Sequence, residues 1–453
     1  MTSPPTRSLQ RILGLGFGLA FAVGASVGVG ILRLPGVAAA RLGDRDLIIV
    51  FWIIGAVYAL LGAVAVAELA AMIPETGGFR VYARRAFGEG AGFVIGWCDW
   101  LVNASAIAYA AVTAVTFLTL LWPAAANVNP RLLAVVLLAV FTAVHWSGLR
   151  LGSTLTSIIS AAIALMLLVL VASCFLMVPD VGAAAPPVAN TAATLPWLSV
   201  SMVFAVVPAL RAILTAFDGW YSPIYMAEED TAPVRNLPRS IIGGALLLAV
   251  LYLLVNLALV RVLPVAALAA SSLAAADAAQ VVFGHGGVTF VTVISLCFMF
   301  SLINNLTLLT PRILFAIGRD GLFTRRAALV SQGGTPRTAL ALSSVAAVLV
   351  IVSGSFEQIV ALYAVLFLIC YLSAFLAVFV LRVREPTLPR PFCAIGYPLS
   401  TGIVLLGTLA FLIAAVIEDP RSGVIAAGFV SACVPFYAWS VRRRRVAVEL
   451  PAA

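Results

Sequence analysis

The chain contains no lysine; all 27 of its basic residues are arginine. Without lysine there is no GxxxxGK[ST] loop to cradle nucleotide phosphates and no Schiff-base nucleophile. Nucleotide-driven pumping would therefore need a separate subunit. Charge of either sign is scarce, at 10% of residues, against roughly 25% in a soluble domain. Histidine is limited to His145 and His285, neither with a second ligand at metal-binding spacing. The six cysteines (98, 174, 297, 370, 393 and 433) form no CxxC pair. They read as small apolar packing residues, not as a disulfide framework or metal site, and no cofactor is expected. The Asn305-Leu306-Thr307 sequon falls in the middle of an apolar run and is set aside.

Apolar residues are in excess, at 63%. A helix rises about 1.5 Å per residue, so roughly 20 apolar residues span the hydrocarbon of a bilayer. Segments of this kind fall at 12–40, 47–72, 91–121, 132–147, 152–178, 196–227, 239–262, 287–317, 338–354, 357–381, 397–417 and 422–441. The first is too long for a signal peptide and lacks its polar cleavage region. The stretches between are short, leaving no room for a soluble domain of ordinary size. Residues 1–453 are thus expected to be one all-α integral membrane domain of twelve transmembrane helices.

The net charge of +9 would suggest nucleic acid only if it clustered on a soluble face. It follows membrane topology instead. With the N-terminus cytoplasmic, roughly 19 arginines fall inside and about 5 outside, the positive-inside pattern. The inside set includes Arg80, Arg84, Arg85, Arg319, Arg325, Arg326, Arg382, Arg384 and the run at 442–445. Both termini are expected to be cytoplasmic, in a bacterial cytoplasmic membrane, with the lipid bilayer as partner and no nucleic acid.

Two spans are written to break. "GASVGVGILRLPG" (24–36) places Gly28 and Gly30, then Arg33 and Pro35, inside the first. "VPALRAILTAFDGWYSPIYMAEED" (207–230) places Asp218-Gly219 at the middle of the sixth, with Pro223 beyond. Aspartate and glycine favour turns, and proline removes a helical donor. An aspartate at membrane depth costs about 2.5–3.5 kcal/mol on insertion scales, so Asp218 should line a cavity or meet a partner. Five spans separate the two breaks, and an odd number reverses orientation. Spans 1–5 (11–178) and 6–10 (196–381) are then inverted repeats, with two helices appended (397–441). The half-helix starting near Val29 offers free N–H groups and a positive dipole end. The half-helix ending near Phe217 offers free carbonyls and a negative end. Together they suit a zwitterion such as the backbone of an amino acid. Small residues at 14, 18, 24 and 28 also fit a GxxxG helix contact. "GVGILR" does not make a dinucleotide loop, because Arg33 stands where glycine is needed.

These residues resemble the amino acid–polyamine–organocation permeases. "GVGILRLPG" is similar to their GSGIFxxPG signature. "AELAAMIPETGGFRVYARRAFGEGAGFVIGW" (67–97), "AFDGWYSPIYMAEEDTAPVRNLPRSI" (216–241) and "NNLTLLTPRILFAIGRDGLF" (304–323) with "GTPRTAL" (334–340) resemble further segments in the same order. The resemblance covers about 11 to 440 and implies a LeuT-like 5+5 inverted repeat with helices 1 and 6 discontinuous. It implies carboxylate contacts at Gly28, Val29 and Gly30, and ammonium contacts around Ser26, Phe217 and Asp218. Two positions depart from the family pattern. Val29 stands where many members have Ser or Thr, and Ile163 stands where many have a lysine in the fifth helix. A coupling mechanism resting on that lysine does not carry over.

Gly219 completes the second break, while Asn103 and Thr215 are candidates for sensing the ligand side chain. Asp99 is a candidate for gating or proton relay, and Trp220 for a gate. Arg33 and Arg211 lie in outer half-helices, either snorkelling to the interface or forming an electropositive vestibule, with Arg33 paired to Asp218. Glu68, Glu228 and Glu229 are expected to pair with loop arginines. The expected function is secondary active transport of an amino acid or related amine by alternating access, coupled to H+ or Na+ or run as exchange. An exchanger without ion coupling and a non-transporting sensor are the competing readings. An intramembrane enzyme lacks paired catalytic groups at one depth.

Overall fold

Helix boundaries follow the punctuation of the sequence. The computed structural model describes residues 8–178, 191–194, 200–354 and 356–449, so the first residues of the expected sixth span, 196–199, lie outside the described residues. In chain order the helices are α1 (Leu15–Ser26), α2 (Gly30–Leu42), α3 (Arg45–Met72), α4 (Phe79–Phe87), α5 (Glu89–Leu121), α6 (Pro130–Ser147), α7 (Leu149–Met177) and α8 (Val200–Ala216). They continue as α9 (Pro233–Val262), α10 (Val265–Ala270), α11 (Ala274–Phe283), α12 (His285–Arg319), α13 (Arg337–Ser353), α14 (Phe356–Arg384), α15 (Leu399–Glu418) and α16 (Pro420–Glu449). Asp44 caps α3 by accepting from the amides of Asp46 and Leu47 at 2.9 and 3.0 Å. Asn129 caps α6 ahead of Pro130, whose missing N–H is no loss in a first turn.

Among the described residues nine helices are long and apolar enough to cross a membrane, and α1 with α2 makes a tenth, bent by 48° at its break. Twelve crossings were expected from the apolar runs, and the two outside this set are α8 and α13. Both belong to the shorter apolar class of 10–17 residues, below the roughly 20 needed to span alone. α8 stops where Asp218-Gly219 cannot continue it. α13 starts after Pro336 and stops at Gly354.

α3 packs along α9 and α5 along α12, while α1 lies against α9 and α7, and α2 against α8 and α10. Close approach of α1 depends on small residues. A β-carbon on Gly24 would stand 2.8 Å from Asn305 Nδ2, and one on Gly18 would stand 2.6 Å from Ser240 Cβ. Gly14 and Gly28 face open space, so the GxxxG contact accounts for residues 18 and 24 only.

The end of the bundle that carries the N-terminal segment is laced with ion pairs. Arg80 and Arg84 share Asp320 at 2.7 and 2.9 Å, Arg319 meets Glu228 at 2.7 Å, and Arg382 meets Glu68 at 2.6 Å. Arg444 meets Glu89 at 2.6 Å. Deeper in, Arg312 and Glu229 pair at 2.8 Å with both side chains buried. The amides of Ile12 and Leu13 donate to the Glu229 carbonyl at 3.0 and 2.9 Å, and the Thr231 amide donates to the Leu13 carbonyl at 2.8 Å. The N-terminal segment is thereby clamped beside α1.

Candidate substrate-binding site

The last helical bond of α1 runs from the Val27 amide to the Val23 carbonyl at 2.8 Å. The amides of Gly28, Val29 and Gly30 then find no acceptor among the described residues, and the ladder resumes with Ile31 donating to Gly28 at 3.3 Å. α8 tightens at its end, the Phe217 amide donating to Leu214 at 3.2 Å and Asp218 to Thr215 at 3.4 Å. Gly219 follows with φ of +111°, a left-handed conformation that glycine adopts without a Cβ clash. A short 3₁₀ stretch, Ser222–Glu229, continues the chain. The carbonyls of Ala216, Phe217 and Asp218 receive no donor among the described residues. Unpaired amides on one break and unpaired carbonyls on the other are groups that need partners.

The breaks touch. A β-carbon on Gly219 would sit 2.6 Å from the Ala25 carbonyl oxygen and 2.8 Å from Ser26 Oγ, and one on Gly30 would sit 3.8 Å from Ala216 Cα. The Tyr252 hydroxyl of α9 donates to the Ser26 carbonyl at 3.1 Å, fixing the end of α1.

A cavity of about 610 Å³ opens at this junction. Of the residues singled out in the sequence, Ser26, Asn103, Thr215, Phe217, Asp218, Gly219, Trp220 and Arg211 line it. Gly28, Val29 and Gly30 are not on its wall but lie half-buried just past Ala25 and Ser26. Asp99 sits behind the wall, buried, accepting from the Tyr225 hydroxyl at 2.8 Å and from Asn103 Nδ2 at 2.9 Å. It orients Asn103 without itself facing the cavity. Arg33 is exposed on α2 and does not reach Asp218. The Asp218 carboxylate instead accepts from the Tyr371 hydroxyl at 2.8 Å and the Tyr363 hydroxyl at 3.2 Å.

Both tyrosines come from α14 and were missed in the sequence. Tyr363, Phe367, Tyr371 and Phe375 recur every fourth residue and so share one helical face. Their rings follow one another with centroids 5.6, 4.4 and 5.6 Å apart. That spacing was the available signal. Trp220 stacks on Tyr371 at 5.8 Å and so belongs to the same aromatic wall. Farther from the breaks the cavity runs on to Tyr58, Thr408, Phe411 and Glu418. There Arg211 of α8 reaches across to form an ion pair with Glu418, the last residue of α15.

Nine membrane-capable helices and a tenth pair bent at its break, beside a cavity lined by the end of α8, are the build of a multi-pass membrane protein. The chain belongs to the amino acid permease family: the profile described as Amino acid permease matches residues 17–438. It is 25% identical to the serine/threonine exchanger SteT of Bacillus subtilis (strain 168), over 96% of this chain and 98% of that protein. It is 27% identical to the b(0,+)-type amino acid transporter 1 of Mus musculus, over 92% and 85%. Identity to the Asc-type amino acid transporter 1 of Mus musculus is 26%, over 90% and 76%. These relatives are transporters, and the chain is not an enzyme.

Proposed function

We propose that the chain moves an amino acid across the bacterial cytoplasmic membrane by alternating access, with the substrate held between the two helix breaks. The observation that carries this reading is their contact, Gly219 against Ala25 and Gly30 beside Ala216. The α-carboxylate docks on the amides of Gly28, Val29 and Gly30, reached through the gap beside Ser26. The ammonium docks on the carbonyls of Phe217 and Asp218. Asp218 keeps acceptor capacity beyond its two tyrosine bonds, and Asn103 and Thr215 meet the side chain. Twelve crossings are reached when α8 with the 222–229 stretch, and α13 with its flanks, each complete one. The pairing of α3 with α9 and α5 with α12 supports a two-fold relation between residues 11–178 and 196–381, with α15 and α16 appended. The arginine-rich end, with both termini, faces the cytoplasm.

Exchange is favoured over proton-driven uptake by two observations. Ile163 is buried on α7 where a coupling lysine would stand, and one relative bears the name of an exchanger. Counterflow in proteoliposomes against a panel of amino acids and amines, with and without sodium and a pH gradient, tests both points. Accelerated uptake driven by internal amino acid alone supports exchange; dependence on a proton or sodium gradient overturns it. Binding without counterflow would make the chain a sensor.

A further inference from the structure

The 331–335 loop, Ser-Gln-Gly-Gly-Thr, has no acidic residue, and three arginines flank it. Arg11 follows Gln10, whose Nε2 donates to the Gln332 carbonyl at 2.7 Å. Arg150 follows Leu149, whose amide donates to the Gly333 carbonyl at 2.8 Å. Arg337 donates through Nε to the Trp146 carbonyl at 3.2 Å, and the Thr335 hydroxyl donates to the His145 carbonyl at 2.9 Å. All three arginines are exposed, and none meets a carboxylate among the described residues. Around them, on the same end of the bundle, Arg80, Arg84, Arg319, Arg382 and Arg444 are each neutralised by an acid.

The corner also has an interfacial marker. The Arg337 guanidinium stands 5.4 Å from the centroid of the Trp146 ring, and Trp146 is 41% exposed one residue before the end of the membrane-capable helix α6. An amphipathic indole at the end of a span belongs at headgroup depth. Unneutralised guanidinium forks at that depth match phosphate oxygens in charge and shape.

We infer that Arg11, Arg150 and Arg337, with Trp146, bind the phosphate headgroup of an anionic phospholipid. Juxtamembrane basic groups are attracted to an anionic leaflet, and the interfacial depth of Trp146 selects a lipid over a soluble phosphate. A lipid on Arg11 steadies the N-terminal segment that Glu229 clamps, and that segment leads directly into α1. The lipid therefore acts on the element whose break forms the proposed site.

The test uses the full chain in nanodiscs of phosphatidylcholine with or without phosphatidylglycerol, which occupies both leaflets, so orientation does not enter. Lipid retained after detergent washing is read by native mass spectrometry. Wild type should retain phosphatidylglycerol over phosphatidylcholine by about fivefold or more. The triple variant Arg11→Gln, Arg150→Gln, Arg337→Gln should lose that preference. A charge-matched control, Arg235→Gln, Arg239→Gln, Arg442→Gln, should keep it, and millimolar inorganic phosphate should not displace the lipid. Equal retention by the triple variant, equal loss in the control, or displacement by phosphate would each overturn the inference. Arg150→Gln alone, an exposed change, should reduce retention partially and serves if the triple variant does not fold. Lipid retention is independent of uptake, so failure here and failure of the transport reading are separable.

Discussion

Gly219 holds φ at +111°, with the Ala25 carbonyl oxygen 2.6 Å from where a β-carbon would stand. Gly219→Ala is therefore expected to cost about 1–3 kcal/mol in backbone strain and to push the two breaks apart. Thermal unfolding in detergent and counterflow should both fall, and a variant with wild-type uptake would show that the contact is dispensable. Its neighbour tests chemistry in place of shape. Asp218→Asn keeps the volume and the tyrosine partners but removes the charge, so the variant should fold while its selectivity or the pH dependence of uptake changes. Identical substrate ranking and identical pH profiles in the two proteins would remove Asp218 from recognition. Asp218-Gly219 was legible in the sequence because a carboxylate and a helix-breaking glycine have no business in a plain span. Tyr363 and Tyr371 were not, since their partner lies 145 and 153 residues away and a tyrosine in an apolar run looks like packing.

At the level of elements, α15 reaches the cavity although it lies outside both proposed repeats. α8 packs chiefly on α2 and α3, yet Arg211 spans the cavity mouth to Glu418. Their side chains are 41% and 47% exposed, and an exposed ion pair contributes at most about 1 kcal/mol, so it opens easily. With the native free cysteines replaced, Arg211→Cys with Glu418→Cys should be bridged by a reducible bifunctional thiol reagent of about the Arg–Glu reach, the gap being too long for a direct disulfide. The bridge should block counterflow, and reductant should restore it. Undiminished transport by the cross-linked protein would mean the mouth does not close there. The buried pair behaves differently. Glu229→Gln strands the Arg312 charge between elements and should cost about 3–5 kcal/mol. Arg85→Gln, at the half-exposed pair with Glu385, should cost less than about 1 kcal/mol. Thermal unfolding compares the two, and equal losses would contradict the ranking. None of these pairs was legible as a pair, because sequence shows which charges exist but not which helices face each other; Glu229, expected to meet a loop arginine, meets Arg312 inside α12.

Across the whole molecule, apolar run length found the long helices but not α4, α10 and α11, which lie between the expected spans. Glycine with proline marked several of the places where helices stop. The apolar run at 196–227 is longer than α8 because run length does not register that Asp218-Gly219 ends a helix, whereas the run at 338–354 matches α13. The arrangement of the α3–α9 and α5–α12 pairs follows from packing that no single segment encodes. If the two breaks hold opposite ends of one zwitterion, the protein must read the carboxylate and the ammonium together. The direct measurement is competition in proteoliposome counterflow between the transported amino acid, its methyl ester and its N-acetyl derivative. The free amino acid should compete fully, while each blocked form should lose at least about tenfold in apparent affinity, the worth of one charged hydrogen bond. Competition by either blocked form as strong as by the free amino acid would contradict a site built from both broken helices.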